Sequence, residues 1–158
     1  MKLEIIQPFI NAADAVLGHT LRCCTRMDEL SMDTNDFHRN GIAAVVCLHG
    51  DIEGRIVLDV AAETARGMAL EFVGSGGDIL KIVHDVVCEL ANQVIGNAVT
   101  VLNNCGYRFR VQPPEISSAD QVPKSTSTTE ALVMKFETAS GPVYLNIALR
   151  AVKAYAAD

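Results

Sequence analysis

The sequence predicts an α+β fold in which helices cover an antiparallel sheet. Two long segments have apolar residues spaced three and four apart, as in amphipathic helices. Two pairs of β-branched runs surround tight turns, as in β-hairpins. No linker divides the chain of 158 residues, which is the length of one ordinary domain. We therefore expect a single domain over residues 1–158, with two long helices and a short helix packed on an antiparallel β-sheet.

The N-terminal half is expected to form a helix, a loop, a hairpin and a short helix. The apolar spacing predicts the first helix from about residue 4 to residue 21. Residues 25–40, TRMDELSMDTNDFHRN, are polar and rich in turn formers, which predicts a loop. GIAAVVCLHG and RIVLDV flank the turn DIEG and form the hairpin. ETARGMALEFV is the short helix, and Gly74 is placed to end it.

The C-terminal half is expected to form the longest helix and the remaining strands. VGSGGD reads as a turn between helices, after which Asp78 is the N-cap and Gly106 the end of the long helix. YRFRVQPPE is a short strand that the two prolines end. The polar stretch SSADQVPKSTSTTE is a loop, and EALVMKFET and PVYLNIALRAV are strands around ASGP. The tail AYAAD is expected to fray.

Composition excludes several classes of protein. The formal net charge of −6 argues against nucleic acid as a partner, because phosphate binding needs a basic surface. No apolar run is long enough to span a membrane, and the N-terminus has no signal-peptide pattern. The five cysteines include no CxxC pair, which predicts reduced thiols in a cytoplasmic protein. No nucleotide-binding motif or metal-ligand spacing occurs, so we expect no cofactor or metal bound by the chain itself.

The long helix separates its residues into two faces. At 100° per residue, a set of apolar residues falls within an arc of roughly 80° and predicts the buried side. Polar and small residues fall within roughly 60° on the opposite side. The predicted core side consists of Val83, Val87, Leu90, Val94, Ala98 and Val101, and the opposite side consists of Asp85, Glu89, Asn92, Gly96 and Asn103.

The polar side of this helix has two interpretations. One is an ordinary solvated face, since periodicity alone indicates burial and not chemistry. The other is a docking surface for another protein. The face is poor in Lys and Arg, and Gly96 costs roughly 1 kcal/mol in a helix interior. Ala91 and Gly96 are small enough for another backbone to approach, and Glu89 and Asn92 place an acid and an amide one turn apart.

ELANQVIGNAV, with its Glu-x-x-Asn pattern, resembles the CheX family, relatives of CheC and FliY that are phosphatases of the response regulator CheY. GDIEGRIVLDV, CGYRFRVQPPEISSAD and the final strand pair extend the resemblance over residues 4–152, the expected structured core. The resemblance implies a CheC/CheX-like fold and a homodimer. It also implies one active helix, because the first helix has Leu17 after Asp14 where the pattern needs Asn. We expect that helix to pack beside the long one and to expose no acid–amide pair.

The resemblance further implies a reaction and residue roles. The substrate would be the aspartyl phosphate of a CheY-like receiver domain, with Mg²⁺ supplied by the receiver. Asn92 would orient the attacking water, and Glu89 would pair with the receiver's lysine. Asp85, Ala91 and Gly96 would contact the partner. Two alternatives stay open: a receiver-binding or flagellar-switch module without catalysis, and a structural dimerisation domain.

Overall fold

Three helices and an antiparallel sheet form the structure, a computed structural model that describes residues 3–21, 26–34, 37–38, 40–73, 78–117, 121–122 and 130–152. The helices are α1 (Leu3–Leu21), α2 (Ala62–Val73) and α3 (Ile79–Asn104). The strands are β1 (Arg26–Thr34), β2 (Phe37–His38), β3 (Ile42–Gly50), β4 (Ile52–Val60), β5 (Phe109–Val111), β6 (Glu115–Ile116), β7 (Gln121–Val122), β8 (Glu130–Thr138) and β9 (Gly141–Ala151).

The main sheet runs in the order β1-β8-β9-β4-β3-β5, and β6 also pairs with β3. Every described pairing is antiparallel, and β2 pairs separately with β7. Alternation along the strands gives the sheet two faces. On β3, Ala44, Val46 and Leu48 belong to the main core, whereas Ala43 belongs to a small cluster with Val57 on the other face.

The helices share the main core with one face of the sheet. Buried residues from α1, α2 and α3 form one cluster with buried residues of β3, β4, β8 and β9. The helix α1 packs along α3, and α2 contacts both α3 and β9. The predicted α+β class is therefore confirmed: two long helices and a short one cover an antiparallel sheet. This packing fixes which side of α3 is left exposed.

Most of the elements predicted from the sequence form near their predicted positions. The β3–β4 hairpin, the short helix α2, the long helix α3 and the final hairpin of β8 and β9 are all present. Asp78 is the N-cap of α3, since its carboxylate accepts a hydrogen bond from the Leu80 backbone N–H at 3.2 Å. Residues 74–77 of the predicted turn VGSGGD and the predicted tail AYAAD at 154–158 lie outside the described residues.

The prediction of a loop over residues 25–40 is wrong. Arg26–Thr34 forms the edge strand β1, which pairs with β8 along its length. The partners of Met27, Leu30 and Met32 are Phe136, Met134 and Leu132, which are core residues. Acidic residues between these positions and a register shift between Met27 and Glu29 interrupt the alternation that would have indicated a strand. Charged residues on an edge strand are common, because they discourage pairing with other chains.

Candidate functional site on α3

The helix that carries the candidate site is held at both ends. At its start, Asp78 caps the first turn. At its end, the N–H groups of Cys105, Gly106 and Tyr107 bond the carbonyls of Val101, Asn103 and Leu102. Gly106 has φ +99°, which a residue with a side chain rarely adopts. The helix spans 26 residues, or about 39 Å, and its packing on α1, α2 and the sheet sets its rotation.

The predicted polar face of α3 is exposed in the structure. Asp85, Glu89, Asn92 and Gly96 are all exposed, and a Cβ built on Gly96 would meet no atom within 4 Å. Val83, Val87, Leu90, Val94 and Ala98 are buried on the opposite side. The expectation that Glu89 and Asn92 lie together on an exposed face is therefore confirmed. Their roles in docking and catalysis remain predictions.

Glu89 has a neighbour that sequence reasoning missed. Gln93 Nε2 donates a hydrogen bond to Glu89 Oε1 at 3.1 Å. The two residues are four apart, so they lie one above the other on the helix surface. The bond uses a neutral donor, which leaves the carboxylate its negative charge and its second oxygen for a cationic partner. The Glu-x-x-x-Gln spacing is the sequence signal that could have revealed this contact.

Asn92 is the unengaged member of the pair. Its side chain is exposed and makes no hydrogen bond with any residue in the described part of the chain. Its carbonyl oxygen and its NH₂ group both remain available. An amide held on a rigid helix with both functions free can accept from a water molecule on one side and donate to an anionic oxygen on the other.

The expectation that Ala91 lies on the docking face is wrong. Ala91 is only 2% exposed and belongs to the main core, as does Ile95 beside it. Seven residues separate Ala91 from the buried Ala98, which at 100° per residue puts them about 20° apart on the helix, and α1 packs along α3 in addition to the sheet. Ala91 thus allows close packing inside the molecule and presents nothing to a partner.

Val101 departs from the prediction in the opposite direction. It was expected in the core, but it is 47% exposed, and Leu102 is buried in its place. Val101 lines an open groove of about 440 Å³ between α1 and α3, together with Gln7, Asn11 and Asn97. Near its C-terminal end, α3 therefore exposes the apolar side chain of Val101 to this groove.

The first helix packs beside α3 as expected, but it does not meet every expectation. Leu17 is fully buried, so it cannot contact a water in a partner's site. The expectation that α1 exposes no acid–amide pair is wrong, since Glu4 and Gln7 are both exposed at the same spacing. Both are engaged within the molecule. Glu4 accepts a hydrogen bond from the Tyr107 hydroxyl at 3.0 Å, and Gln7 Nε2 donates to Asn11 Oδ1 at 2.8 Å.

Cys88, next to Glu89, is not an activated nucleophile. Burial raises the pKa of the Cys88 thiol, and the nearby charge of Asp85 raises this pKa further. The thiol is half-buried and stays protonated near neutral pH, whereas nucleophilic attack needs the thiolate. Within the described ranges, no group of three His, Cys, Asp or Glu side chains is placed to hold a metal ion.

Solved structures with the same fold come from chemotaxis proteins. A CheX protein from Desulfovibrio desulfuricans has a TM-score of 0.79 at 22% identity, covering 94% of this chain and 100% of that chain. A CheC-like protein from a Shewanella species has a TM-score of 0.81 at 20% identity, with 95% and 99% covered. CheX from Borrelia burgdorferi, in a complex with CheY, BeF₃ and Mg²⁺, has a TM-score of 0.78 at 27% identity, with 94% and 99% covered. A search of curated protein sequences gave no match.

The fold places the molecule among proteins with a CheC/CheX-like structure. The family model described as "Chemotaxis phosphatase CheX" matches residues 42–137, and the chain belongs to this family. The matched range contains α3 with Glu89 and Asn92. Among the described helices, none has the length and apolar character needed to cross a membrane.

Proposed function

We propose that this protein removes the phosphoryl group from the aspartyl phosphate of a CheY-like receiver domain. The observation that carries the proposal is the exposed pair on α3, in which Glu89 accepts a hydrogen bond from Gln93 and the amide of Asn92 makes no hydrogen bond with another described residue. Membership of a chemotaxis phosphatase family and the complex of CheX with CheY from Borrelia burgdorferi support the same partner.

The reaction is hydrolysis of an acyl phosphate. The oxygen of a water molecule forms a bond to phosphorus, and the bond between phosphorus and the aspartyl oxygen breaks. The electron pair of that bond stays on the receiver's aspartate as a carboxylate, and the proton lost by the water passes to the released phosphate. Charge on the transferring group is handled largely by cations around it. In this proposal a Mg²⁺ ion and a lysine of the receiver supply those cations.

Asn92 orients the attacking water. Its carbonyl oxygen accepts a hydrogen bond from the water, and its NH₂ donates to a phosphoryl oxygen. Holding the water in line converts a random encounter into an oriented one, which lowers the entropic part of the barrier. An amide suits this task better than a carboxylate, because it adds no negative charge beside the phosphoryl group.

Glu89 docks the protein on the receiver. Its carboxylate accepts a charge-assisted hydrogen bond from the receiver's lysine, which fixes how deeply Asn92 enters the partner's site. Gln93 keeps the carboxylate in position from the next turn of α3. Asp85 and Gly96, exposed on the same face, lie inside the contact area. An interface of standard size covers about 800 Å² on each partner, which exceeds the area of the pair alone.

The test uses a small amount of this protein and an excess of a receiver loaded with phosphate. A catalyst turns over many receivers, so the phosphorylated fraction should fall to zero at a rate proportional to the amount of protein added. A binding module would instead protect one receiver per molecule, and a dimerisation domain would have no effect. Protection at a one-to-one ratio, or no effect, would contradict the proposed reaction.

The homodimer implied by the family resemblance remains a prediction. Sedimentation velocity over a range of protein concentrations measures it directly. We expect one species with twice the mass of the chain, and a single species with the mass of one chain would contradict the prediction.

A further inference from the structure

A second cavity lies at the far end of α3, where the helix meets β3 and β5. Its volume is about 850 Å³, and it is open to solvent. It begins eleven residues beyond Asn92, which is about 16 Å along the helix axis. The described residues that line it are His49, Gly50, Asn103, Asn104, Arg108, Phe109 and Arg110.

The charge of this cavity is opposite to that of the chain. The protein carries a formal net charge of −6, yet every ionisable residue among the described lining residues is an arginine or a histidine. Among the described residues, Asp51 has a carboxylate bonded to the lining, where it accepts from the Arg108 backbone N–H at 2.8 Å. The two arginines therefore concentrate positive charge on an acidic protein.

The strand register places two of these side chains side by side. His49 on β3 is directly opposite Arg110 on β5. Directly opposite residues point to the same side of a sheet, with Cβ atoms about 5 Å apart. Both side chains are exposed, and Arg110 forms no hydrogen bond or ion pair with another residue in the described ranges. An anion bound between these two side chains could accept hydrogen bonds from both of them.

Arg108 is held in place at the edge of the cavity. Its Nη1 donates to the carbonyl oxygens of Asn103 at 3.0 Å and Tyr107 at 3.1 Å. A guanidinium has five N–H donors, and both of these bonds use Nη1, so Nε and Nη2 of Arg108 can still donate to a ligand. Gly50 lets the strands approach, because a Cβ at this position would lie 2.8 Å from the Arg108 carbonyl oxygen. The cation is thus oriented before any ligand arrives.

Hydrogen bonds reduce the negative charge that the end of α3 presents to the cavity. The C-terminal end of a helix carries partial negative charge on its unpaired carbonyls. Here the carbonyls of Val101, Leu102 and Asn103 accept from backbone N–H groups beyond the helix, and Asn103 also accepts from Arg108. The side chains of Asn103 and Asn104 are exposed at the rim and add amide donors.

We propose that this cavity binds a phosphate group, either free or carried by a small organic molecule. Two guanidinium groups match the charge of a phosphate dianion, and their planar forks match its oxygens. The site is separate from the Glu89–Asn92 pair, and its existence does not depend on the proposed phosphatase reaction.

The test measures binding of inorganic phosphate and of a nucleoside monophosphate by calorimetry, at constant ionic strength set with chloride. A matched pair of variants distinguishes phosphate binding in the cavity from general attraction of phosphate to the positive charges of the surface. Arg110→Gln removes a cavity charge, and Lys81→Gln removes an exposed charge near the start of α3. Both leave the helix cap intact. We expect a dissociation constant of about 1 mM or below for at least one probe.

Arg110→Gln should weaken that binding by about tenfold or more, whereas Lys81→Gln should leave it unchanged. Tighter binding of the nucleotide would identify an organic phosphate as the ligand, and equal or weaker binding would identify the free ion. No binding of either probe, or equal losses in the two variants, would overturn the proposal.

Discussion

The two long helices pack side by side on the same sheet, but they expose different chemistry at corresponding positions. On α3, Glu89 and Asn92 are both exposed. On α1, Asp14 is exposed and Leu17, three residues later, is fully buried. The same spacing therefore gives a surface pair on one helix and a surface–core pair on the other, because each helix turns a different arc toward the core.

The two helices also differ in whether their exposed acid and amide side chains are bonded within the molecule. Glu4 and Gln7 on α1 are exposed at the same spacing as Glu89 and Asn92. Glu4 is tied to Tyr107 and Gln7 to Asn11, whereas the amide of Asn92 bonds no other described residue. Exposure of an acid and an amide one turn apart is thus common to both helices. The free amide distinguishes α3.

Installing the missing amide on α1 should damage the fold instead of creating a second site. Leu17→Asn removes a fully buried leucine and places an amide in the core. We expect a loss of about 3 kcal/mol or more in the free energy of unfolding, from the lost apolar contacts and the buried polar group. Urea unfolding measures it. Ala15→Asn, at an exposed position of the same helix, should cost less than about 1 kcal/mol. Unchanged stability with added phosphatase activity would refute the contrast between the helices.

Changing the amide of Asn92 to a carboxylate should abolish most of the activity without unfolding the protein. Asn92→Asp keeps the shape, removes the NH₂ donor and adds a negative charge beside the phosphoryl group. We expect kcat to fall by about 100-fold, the typical loss when one transition-state donor is removed. The unfolding free energy should change by less than about 0.5 kcal/mol, because the side chain is exposed. Rapid-quench kinetics and a melting curve check both; an active Asp variant would exclude the amide mechanism.

Glu89 and Glu4 allow the same substitution to be compared on the two helices. Glu89→Gln removes the charge that is proposed to meet the receiver's lysine, and affinity for the phosphorylated receiver should fall by about tenfold. The loss should shrink as salt is added, because salt screens exposed charges. Glu4→Gln keeps an acceptor for the Tyr107 hydroxyl and should leave receiver affinity unchanged. Titration of a labelled receiver measures both, and equal affinities for the two variants would remove Glu89 from the interface.

The smallest effect is expected at Gly96. An added Cβ meets no atom of the protein, so Gly96→Ala should raise the unfolding free energy by about 1 kcal/mol through helix propensity. The same methyl group should weaken receiver binding, since the proposed partner approaches this position closely. Thermal unfolding and the titration above measure the two effects. A more stable variant with unchanged affinity would place Gly96 outside the contact area.

The exposed pair could be predicted from the sequence because helix periodicity is local information. Val83, Val87 and Leu90 define the buried side, and the position of Glu89 follows from the 100° step. The same step places Ala91 about 20° from the buried Ala98, so the burial of Ala91 could have been predicted in this way. The exposure of Val101 could not be predicted, because the same step places Val101 on the buried side of the helix.

The edge strand β1 shows a related limit. Strand alternation is readable when one face is buried and the other is polar. In Arg26–Thr34 the register shift between Met27 and Glu29 breaks the alternation, and the pairing that holds the strand comes from β8, about a hundred residues later. Residues 26–34 form a strand because they pair with the distant strand β8, although their local composition indicated a loop.

The most direct test compares the two exposed amides, Asn92 on α3 and Gln7 on α1. Single-turnover dephosphorylation of a labelled receiver, at saturating concentrations of this protein, gives the rate of the chemical step for wild type, Asn92→Ala and Gln7→Ala. The predicted result is a rate about 100-fold lower for Asn92→Ala and unchanged for Gln7→Ala, with similar receiver affinity in all three. Full activity of Asn92→Ala, or an equal loss in Gln7→Ala, would contradict the assignment of the reaction to α3.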